Sequence, residues 1–343
     1  QQLELVQGPS FSNHEEQRAQ YFKKMVEAEG YEAEMDEVCN VYTRIRGTGN
    51  GPTVMISAHL DTVFPMDTPL EIKRDGSRYC CPGISDDTRG CAEILALLRG
   101  IREAGIRPVG DLILGGNVGE EGLGNLRGMR HVFGKDNDID VFLSLDSAGN
   151  GICYGGTGSY RYRASFHGRG GHSFGDFGLP NPIHAMGRAI DLISDVQTPS
   201  DPKTTFCVGV VEGGTSVNAI AHDCSMLIDM RSNGKEELDA LDREVLGLID
   251  QAVREENERW ESVEKVTVRL EQLGNRPVGN TQTKDSPIVQ ILAGAFRHFG
   301  IEPRFSAAGS TDSNIAISLG YPAATISGGG TTGDAHTTTE WYD

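Results

Sequence analysis

The stretch PTVMISAHLD, residues 52–61, decides the fold. Residues 52–58 read as a short strand buried on both faces, because a brief apolar run bounded by turn formers suits a covered parallel sheet. The run ends on His59-Leu60-Asp61. Residues two apart in a strand face the same side, so His59 and Asp61 are expected to point together off the strand's carboxyl end. That edge is where open α/β sheets place their ligands.

Working outward, the same logic repeats. Residues 88–103 carry Ala92, Leu95, Leu98 and Ile101 near helical spacing. Residues 111–116 (DLILGG) read as a strand, 123–133 as a helix and 140–145 (DVFLSL) as another strand. Strands alternating with helices imply an α/β layer around a mostly parallel central sheet, covered by helices on both faces. After residue 152 the pattern changes to strand 159–167, helix 182–194, strands 205–212 and 223–231, helix 235–254 and strand 264–272. This β-α-β-β-α-β order is the split βαβ arrangement. From residue 275 the βα alternation returns, with helix 286–299, strand 303–307, helix 312–319 and strand 322–327. The expectation is a discontinuous catalytic domain, 1–153 and 274–343, interrupted by an inserted ferredoxin-like α+β domain, 154–273, that serves as lid and dimerisation module.

The bulk numbers restrict the function. A length of 343 residues exceeds one ordinary core. A net charge of -18 repels nucleic acid and anionic lipid, so neither is an expected partner. No run of 18 apolar residues is present, so no membrane-spanning helix is expected. The start QQLELVQGPS has no basic region followed by an apolar stretch, so no signal peptide is expected. The seven Cys, at 39, 80, 81, 91, 153, 207 and 224, are odd in number and form no CxxC pair. They read as scattered thiols in a reducing cytoplasm rather than a disulfide framework.

Chemistry-bearing residues gather at the ends of the first-half strands. His59-x-Asp61 is weak alone, since Asp often caps a turn. In Gly83-Ile84-Ser85-Asp86-Asp87, paired carboxylates precede a helix. They can cap its free N–H groups, or one can bridge two cations that share a water. In Gly119-Glu120-Glu121-Gly122, one Glu can bind metal while its neighbour acts as general base, or both can line a solvated turn. Asp146 ends the strand 140–145. His336 lies in the small-residue loop Gly333-Asp334-Ala335-His336. Together, two His and three carboxylates suit zinc, with manganese or cobalt as substitutes.

On SAHLDTVFP (57–65), GISDDTRGCAEIL (83–95), GNVGEEGLGNLRG (116–128), LSLDSAG (143–149), GRGGHS (168–173), VNAIAHDCSMLIDMR (217–231) and GDAHTTTEW (333–341), the sequence resembles the co-catalytic di-zinc metallopeptidases. That family includes peptidase T, carboxypeptidase G, the aminoacylases and succinyl-diaminopimelate desuccinylase, and the peptidase T-like branch is the best match. The resemblance implies that His59 and Asp146 hold one Zn2+ and that Glu121 and His336 hold the other. It makes Asp86 the bridge, with a cis bond to Asp87. It makes Glu120 the general base and Asp61 the partner that orients His59. His172 resembles a lid histidine that reaches the partner subunit's active site, which implies a homodimer. Asn218, Arg231, Gly309 and Ser310 resemble substrate-binding residues. Two departures stand out. Thr88-Arg89 follow the Asp pair where many relatives carry Lys. Asp146 occupies a position where some branches use Glu.

The implied activity is metal-dependent hydrolysis of amide bonds in small peptides, as a dipeptidase or tripeptidase. An N-acyl or N-carbamoyl amino-acid hydrolase is the alternative, with the same metal cage. A non-catalytic binding relative would lack a ligand or the base, and none is missing. A dinucleotide-binding protein is remote, because no GxGxxG follows the first strand and no GxxxxGK[ST] occurs.

Overall fold

The computed structural model describes residues 1–343. The chain divides into two compact units, Gln1–Gly156 with Gly279–Asp343, and Thr157–Val278.

The first unit is built on an eight-stranded sheet. Strand Val54–His59 lies between Leu112–Asn117 and Val141–Leu145, parallel to both, and Ala323–Ile326 continues the parallel set beside Val141–Leu145. Antiparallel strand Val41–Ile45 flanks Leu112–Asn117. Gly151–Cys153 pairs antiparallel with Ala323–Ile326 and parallel with Arg304–Ser306. Both faces of the sheet are covered. Leu60, Ile94, Leu95, Leu98 and Leu114 pack with Phe22 and Val26 in one cluster. Met55, Ile113, Phe142, Met129 and Ile315 pack in another. Burial on both sides is why these strands read as continuous apolar runs.

Helix Thr88–Ala104 shows how the sequence sets its own limits. The Asp87 carboxylate accepts from Gly90 N at 3.0 Å and caps its start, and Gly105 ends it with φ of 61°. A Cβ on Gly90 would stand 2.5 Å from Asp87 Oδ2, so the tight cap requires glycine there.

Three local readings need correction. The helix expected over 123–133 is Arg127–Phe133 only, because Asn125 and Leu126 adopt left-handed conformations and end the preceding loop. No element is expected before residue 52, yet Ala19, Phe22, Met25 and Val26 bury one face of helix Glu16–Ala28. The last strand of the second unit is Thr267–Arg276, extended through a register shift between Gln272 and Gly274. Its continuation past residue 273 carries the unit boundary to Val278.

The second unit is a four-stranded antiparallel sheet in the order Thr204–Gly213, Asp223–Ser232, Gly158–His167, Thr267–Arg276. Helices Pro182–Ser194 and Lys235–Glu258 supply Ala185, Met186, Ile193, Leu241, Val245 and Ile249 to a core shared with Ala164, Phe166, Met226 and Ile228. The alternation in Gly158–His167 leaves Arg163 and His167 exposed while Ala164 and Phe166 are buried. No helix of the chain is long and apolar enough to cross a membrane. All seven cysteines are free thiols.

Candidate metal centre

The ends of three parallel strands carry the site. His59 is the last residue of Val54–His59, and Asp146 follows Val141–Leu145. Glu120 and Glu121 lie in the loop after Leu112–Asn117, and Asp86 lies just before helix Thr88–Ala104. His336, with φ of 64°, comes from the turn between Thr332–Gly333 and Trp341–Tyr342.

Asp86 is the hub. His59 Nε2 lies 2.9 Å from its Oδ1 and His336 Nε2 lies 3.0 Å from its Oδ2. His336 Nε2 is also 3.0 Å from Glu121 Oε1. Ligand atoms of His59, Asp86 and Glu121 lie within 4.8 Å of one another. Asp146, the fifth residue expected here, lies near enough to sense the others. Its carboxylate feels the charges of Asp86, His59 and Glu121 and accepts from Ser147 Oγ at 3.1 Å. The Asp86–Asp87 peptide bond is cis.

The electrostatics describe a site that lacks positive charge. Burial, then the neighbouring charge of Asp86, pushes the Asp146 carboxyl up to about 7. Burial opposes charge on Asp86, but the hydrogen bonds from His336 and His59 hold it below the usual carboxylate range. Burial also opposes charge on His59, yet the hydrogen bond to Asp86 carries it well above the ordinary imidazole value. Hydrogen bonds to Asp86 and Glu121 raise His336 to about 10. Without a cation, protons on the two imidazoles and on Asp146 supply the compensating charge. Imidazoles give up protons to metal, and crowded buried carboxylates are costly unless paired. The donor set therefore fits divalent cations.

Asp61 does more than stand beside His59. The regular strand ends at His59, and the two side chains still lie together. His59 Nδ1 lies 3.0 Å from the backbone oxygen of Asp61, whereas the Asp61 carboxylate is 3.7 Å away. That carboxylate accepts instead from Glu120 N at 3.0 Å, Glu121 N at 2.9 Å and Ser12 Oγ at 2.6 Å. It fixes the loop that carries Glu120 and Glu121, and both of those side chains are buried. The orienting acceptor for His59 is a carbonyl, which serves the same purpose.

Glu340 has no counterpart in the sequence reading. It is fully buried, and its carboxylate accepts from Gly83 N, Ser85 N, Ser85 Oγ and Asp86 N at 2.7–3.0 Å. It clamps the loop that presents Asp86. The available signal is a single acidic residue between a threonine run and Trp341-Tyr342. Asp87 is likewise spoken for. It caps the helix, and its Oδ2 accepts from His59 N at 3.2 Å. Adjacent carboxylates thus divide the capping and the hub positions between them. Arg18, also buried, donates to the oxygen of Leu60 at 3.1 Å and braces the same strand end.

The loop with Gly309 and Ser310 leads to buried Asp312, which accepts from Asn117 Nδ2 at 2.5 Å. In the second unit, His172 and Ala219 are paired in a short ladder, and Ser173 N donates to the Asn218 oxygen at 2.9 Å, so His172 and Asn218 lie together. His172 Nδ1 accepts from Phe174 N and Gly175 N, both at 3.2 Å. Arg231 lies on the open face of its sheet, with Nε 2.7 Å from Asp229 Oδ2.

Strand-end carboxylates, a two-histidine grip and an α/β sheet define a metal-dependent hydrolase of amide bonds, a metallopeptidase or amidohydrolase. The model of Peptidase family M20/M25/M40 matches residues 55–343, and the chain belongs to that family, whose members are metal-dependent. Carboxypeptidase G2 of Pseudomonas sp. (strain RS-16) is 24% identical over 295 residues, 82% of this chain and 67% of that protein. A tripeptidase structure from Staphylococcus aureus subsp. aureus Mu50 superposes with a TM-score of 0.79 at 22% identity, covering 99% of this chain and 91% of that one. The aminopeptidase PepT structure from Bacillus cereus ATCC 10987 gives 0.76 at 21%, with the same coverage.

Proposed function

We propose that the chain hydrolyses amide bonds in dipeptides and tripeptides at a centre of two Zn2+ ions. The observation that carries this reading is the Asp86 carboxylate held between two imidazoles, one on each oxygen. His59 and Asp146 would hold one ion, Glu121 and His336 the other, and Asp86 both; Mn2+ and Co2+ suit the same donors. When bound, the ions supply Lewis-acid polarisation of the scissile carbonyl and a more acidic attacking water.

The rest is the work of side chains. Glu120 takes the proton from the attacking water and passes it to the leaving nitrogen. Asp61 supports this by anchoring the Glu120 and Glu121 amides. The partner subunit's His172 donates a hydrogen bond to the carbonyl oxygen as negative charge grows there. The support is its tautomer: Nδ1 accepts from two backbone amides, so the neutral ring carries its proton on Nε2 and presents a donor. Arg231 and Asn218, with the Gly309–Ser310 backbone, position the peptide's polar groups. The unit 157–278 pairs two copies into a homodimer. The seven free thiols support a cytoplasmic setting.

The test is a short peptide library with N-acylated amino acids as a second panel, read by mass spectrometry with added zinc, manganese or cobalt. Cleavage confined to the acylated panel would move the reading to an N-acyl or N-carbamoyl amino-acid hydrolase. Glu120→Gln should keep its metal and lose about 10²–10⁴-fold in kcat. Undiminished turnover would remove Glu120 from the mechanism.

A further inference from the structure

A second carboxylate in this molecule is gripped by two imidazoles. Asp223 opens the strand Asp223–Ser232 and stands directly across the antiparallel ladder from His167, the last residue of Gly158–His167. His167 Nδ1 is 2.7 Å from Asp223 Oδ1, and His222 Nδ1 is 3.2 Å from Asp223 Oδ2. The two rings meet edge to face with centroids 4.5 Å apart. All three side chains are exposed, and their ligand atoms lie within 4.8 Å of one another.

The same strand carries an internal control. Asp229, on the same open face, is bracketed by Arg161 Nε at 2.8 Å and Arg231 Nε at 2.7 Å. Guanidinium keeps its proton in proteins and ligates no metal, so that triad is an ion pair that holds no cation. At Asp223 the bracketing groups are imidazoles, which exchange a proton for a metal near neutral pH. The backbone there is already ordered. Asp223 and His167 are ladder partners, and Gly168 N donates to the His222 oxygen at 2.9 Å. The nearby cation Arg169 is directed to Asp176, 3.9 Å away.

We infer that His167, His222 and Asp223 form a further cation site, separate from the hydrolytic centre, that takes one borderline divalent ion, zinc in the first instance. Two imidazoles and a carboxylate are the donors such an ion prefers. Bond lengths of about 2.0–2.2 Å place two donors of one ion roughly 3–4 Å apart, so modest side-chain rotation suffices. The ion takes the place of the Nδ1 protons facing the carboxylate; a charged ring releases its proton to solvent, and a neutral ring carries it on Nε2 instead. It ties the ends of two neighbouring strands of the second unit.

The experiment uses the full chain, dialysed to equilibrium against micromolar free zinc and analysed for bound metal. Wild type should hold one ion more than the His167→Gln/His222→Gln variant, whatever the count at the buried centre. Asp86→Asn should keep this ion, so the result is independent of the peptidase reading. Equal metal content in wild type and the double variant overturns the site. A second readout needs no variant: paramagnetic Co2+ added to wild type should broaden the amide resonances of residues 166–168 and 222–224. Broadening confined to the surroundings of Asp86 overturns the site as well.

Discussion

Asp86 and Asp223 are each held by two histidines, one on each carboxylate oxygen, and the resemblance ends at the next layer of atoms. Behind Asp86 stands Glu340 with four donors, beside it Asp87 fixes both a helix start and the His59 amide, and Asp61 pins the loop of Glu120 and Glu121. Asp223 has a strand ladder on one side and an exposed surface on the other. Donors alone can bind an ion. Chemistry needs donors whose own positions are fixed, with a base held alongside and the solvent reduced.

The sharpest break of this comparison is Asp86→Asn. The amide keeps the volume and loses the charge that both imidazoles face. Metal content of the buried centre should fall, and kcat/KM should drop on the order of a thousandfold or more. Elemental analysis alongside steady-state kinetics reads both. Full metal occupancy with turnover near wild type would mean that Asp86 is not shared by the two ions.

Glu340→Ala probes the backing rather than the donors. Three backbone amides and a hydroxyl would lose their acceptor in a buried place. Each such loss costs about 1–3 kcal/mol, partly relieved by relaxation or water, so a destabilisation of about 3 kcal/mol is expected. Metal affinity should fall about 10–100-fold because the Asp86 loop loosens. Glu340→Gln keeps one acceptor oxygen and should recover part of both. Equal behaviour of the two variants would reduce Glu340 to a packing residue.

The buried centre adds its own pH dependence to the stability of the metal-free protein. Asp146 has a folded pKa of about 7 against an ordinary 3.8, so the folded chain binds the extra proton between these values. The stability that Asp146 contributes to the metal-free chain therefore falls as pH rises from about 4 to 7. His336 is raised from 6.5 to about 10, so its contribution is present below pH 6.5 and is lost as pH rises through 10. Because its side chain is half exposed, that contribution is small. Metal binding displaces these protons, so the metal-induced rise in Tm should grow with pH. Thermal melts with and without chelator between pH 5 and 9 check the sign. A metal-induced Tm shift that shrinks with pH would contradict the assignment of these groups as ligands.

Much of this centre was legible, for a physical reason. Strands covered on both faces read as apolar runs, and their carboxyl ends are where polar residues reappear, so His59, Glu121 and Asp146 announce themselves. The αβα layer with an inserted α+β unit follows from the order of strand and helix segments, and the family from the resemblance carried by motifs such as SAHLDTVFP and GDAHTTTEW. What escapes is whatever depends on where a backbone turns. The strand stops at residue 59, and the backbone beyond it gives His59 the Asp61 carbonyl at 3.0 Å and leaves the Asp61 carboxylate 3.7 Å away. Residues 123–126 pass for the start of a helix until Asn125 and Leu126 take positive φ and hold them in the loop. Glu340 reaches the Asp86 loop across more than 250 residues of sequence, a distance that no periodicity spans.

The smallest expected effect lies at Ser12, whose contact with the site is equally invisible in sequence. Its hydroxyl donates to Asp61 Oδ2 at 2.6 Å and lies 3.1 Å from the Glu121 oxygen, in a fully buried corner. Ser12→Ala leaves Asp61 its two backbone donors and removes the third. A charge-assisted hydrogen bond of this kind contributes about 1–3 kcal/mol, and the remaining donors blunt the loss, so about 1 kcal/mol of stability is expected. If Asp61 acts by holding the Glu120 amide, the loss should also appear as a few-fold fall in kcat with KM unchanged. If Asp61 only supports the fold, Tm will drop and kcat will not. The split between those two readouts separates a carboxylate that positions the base from one that fills a turn.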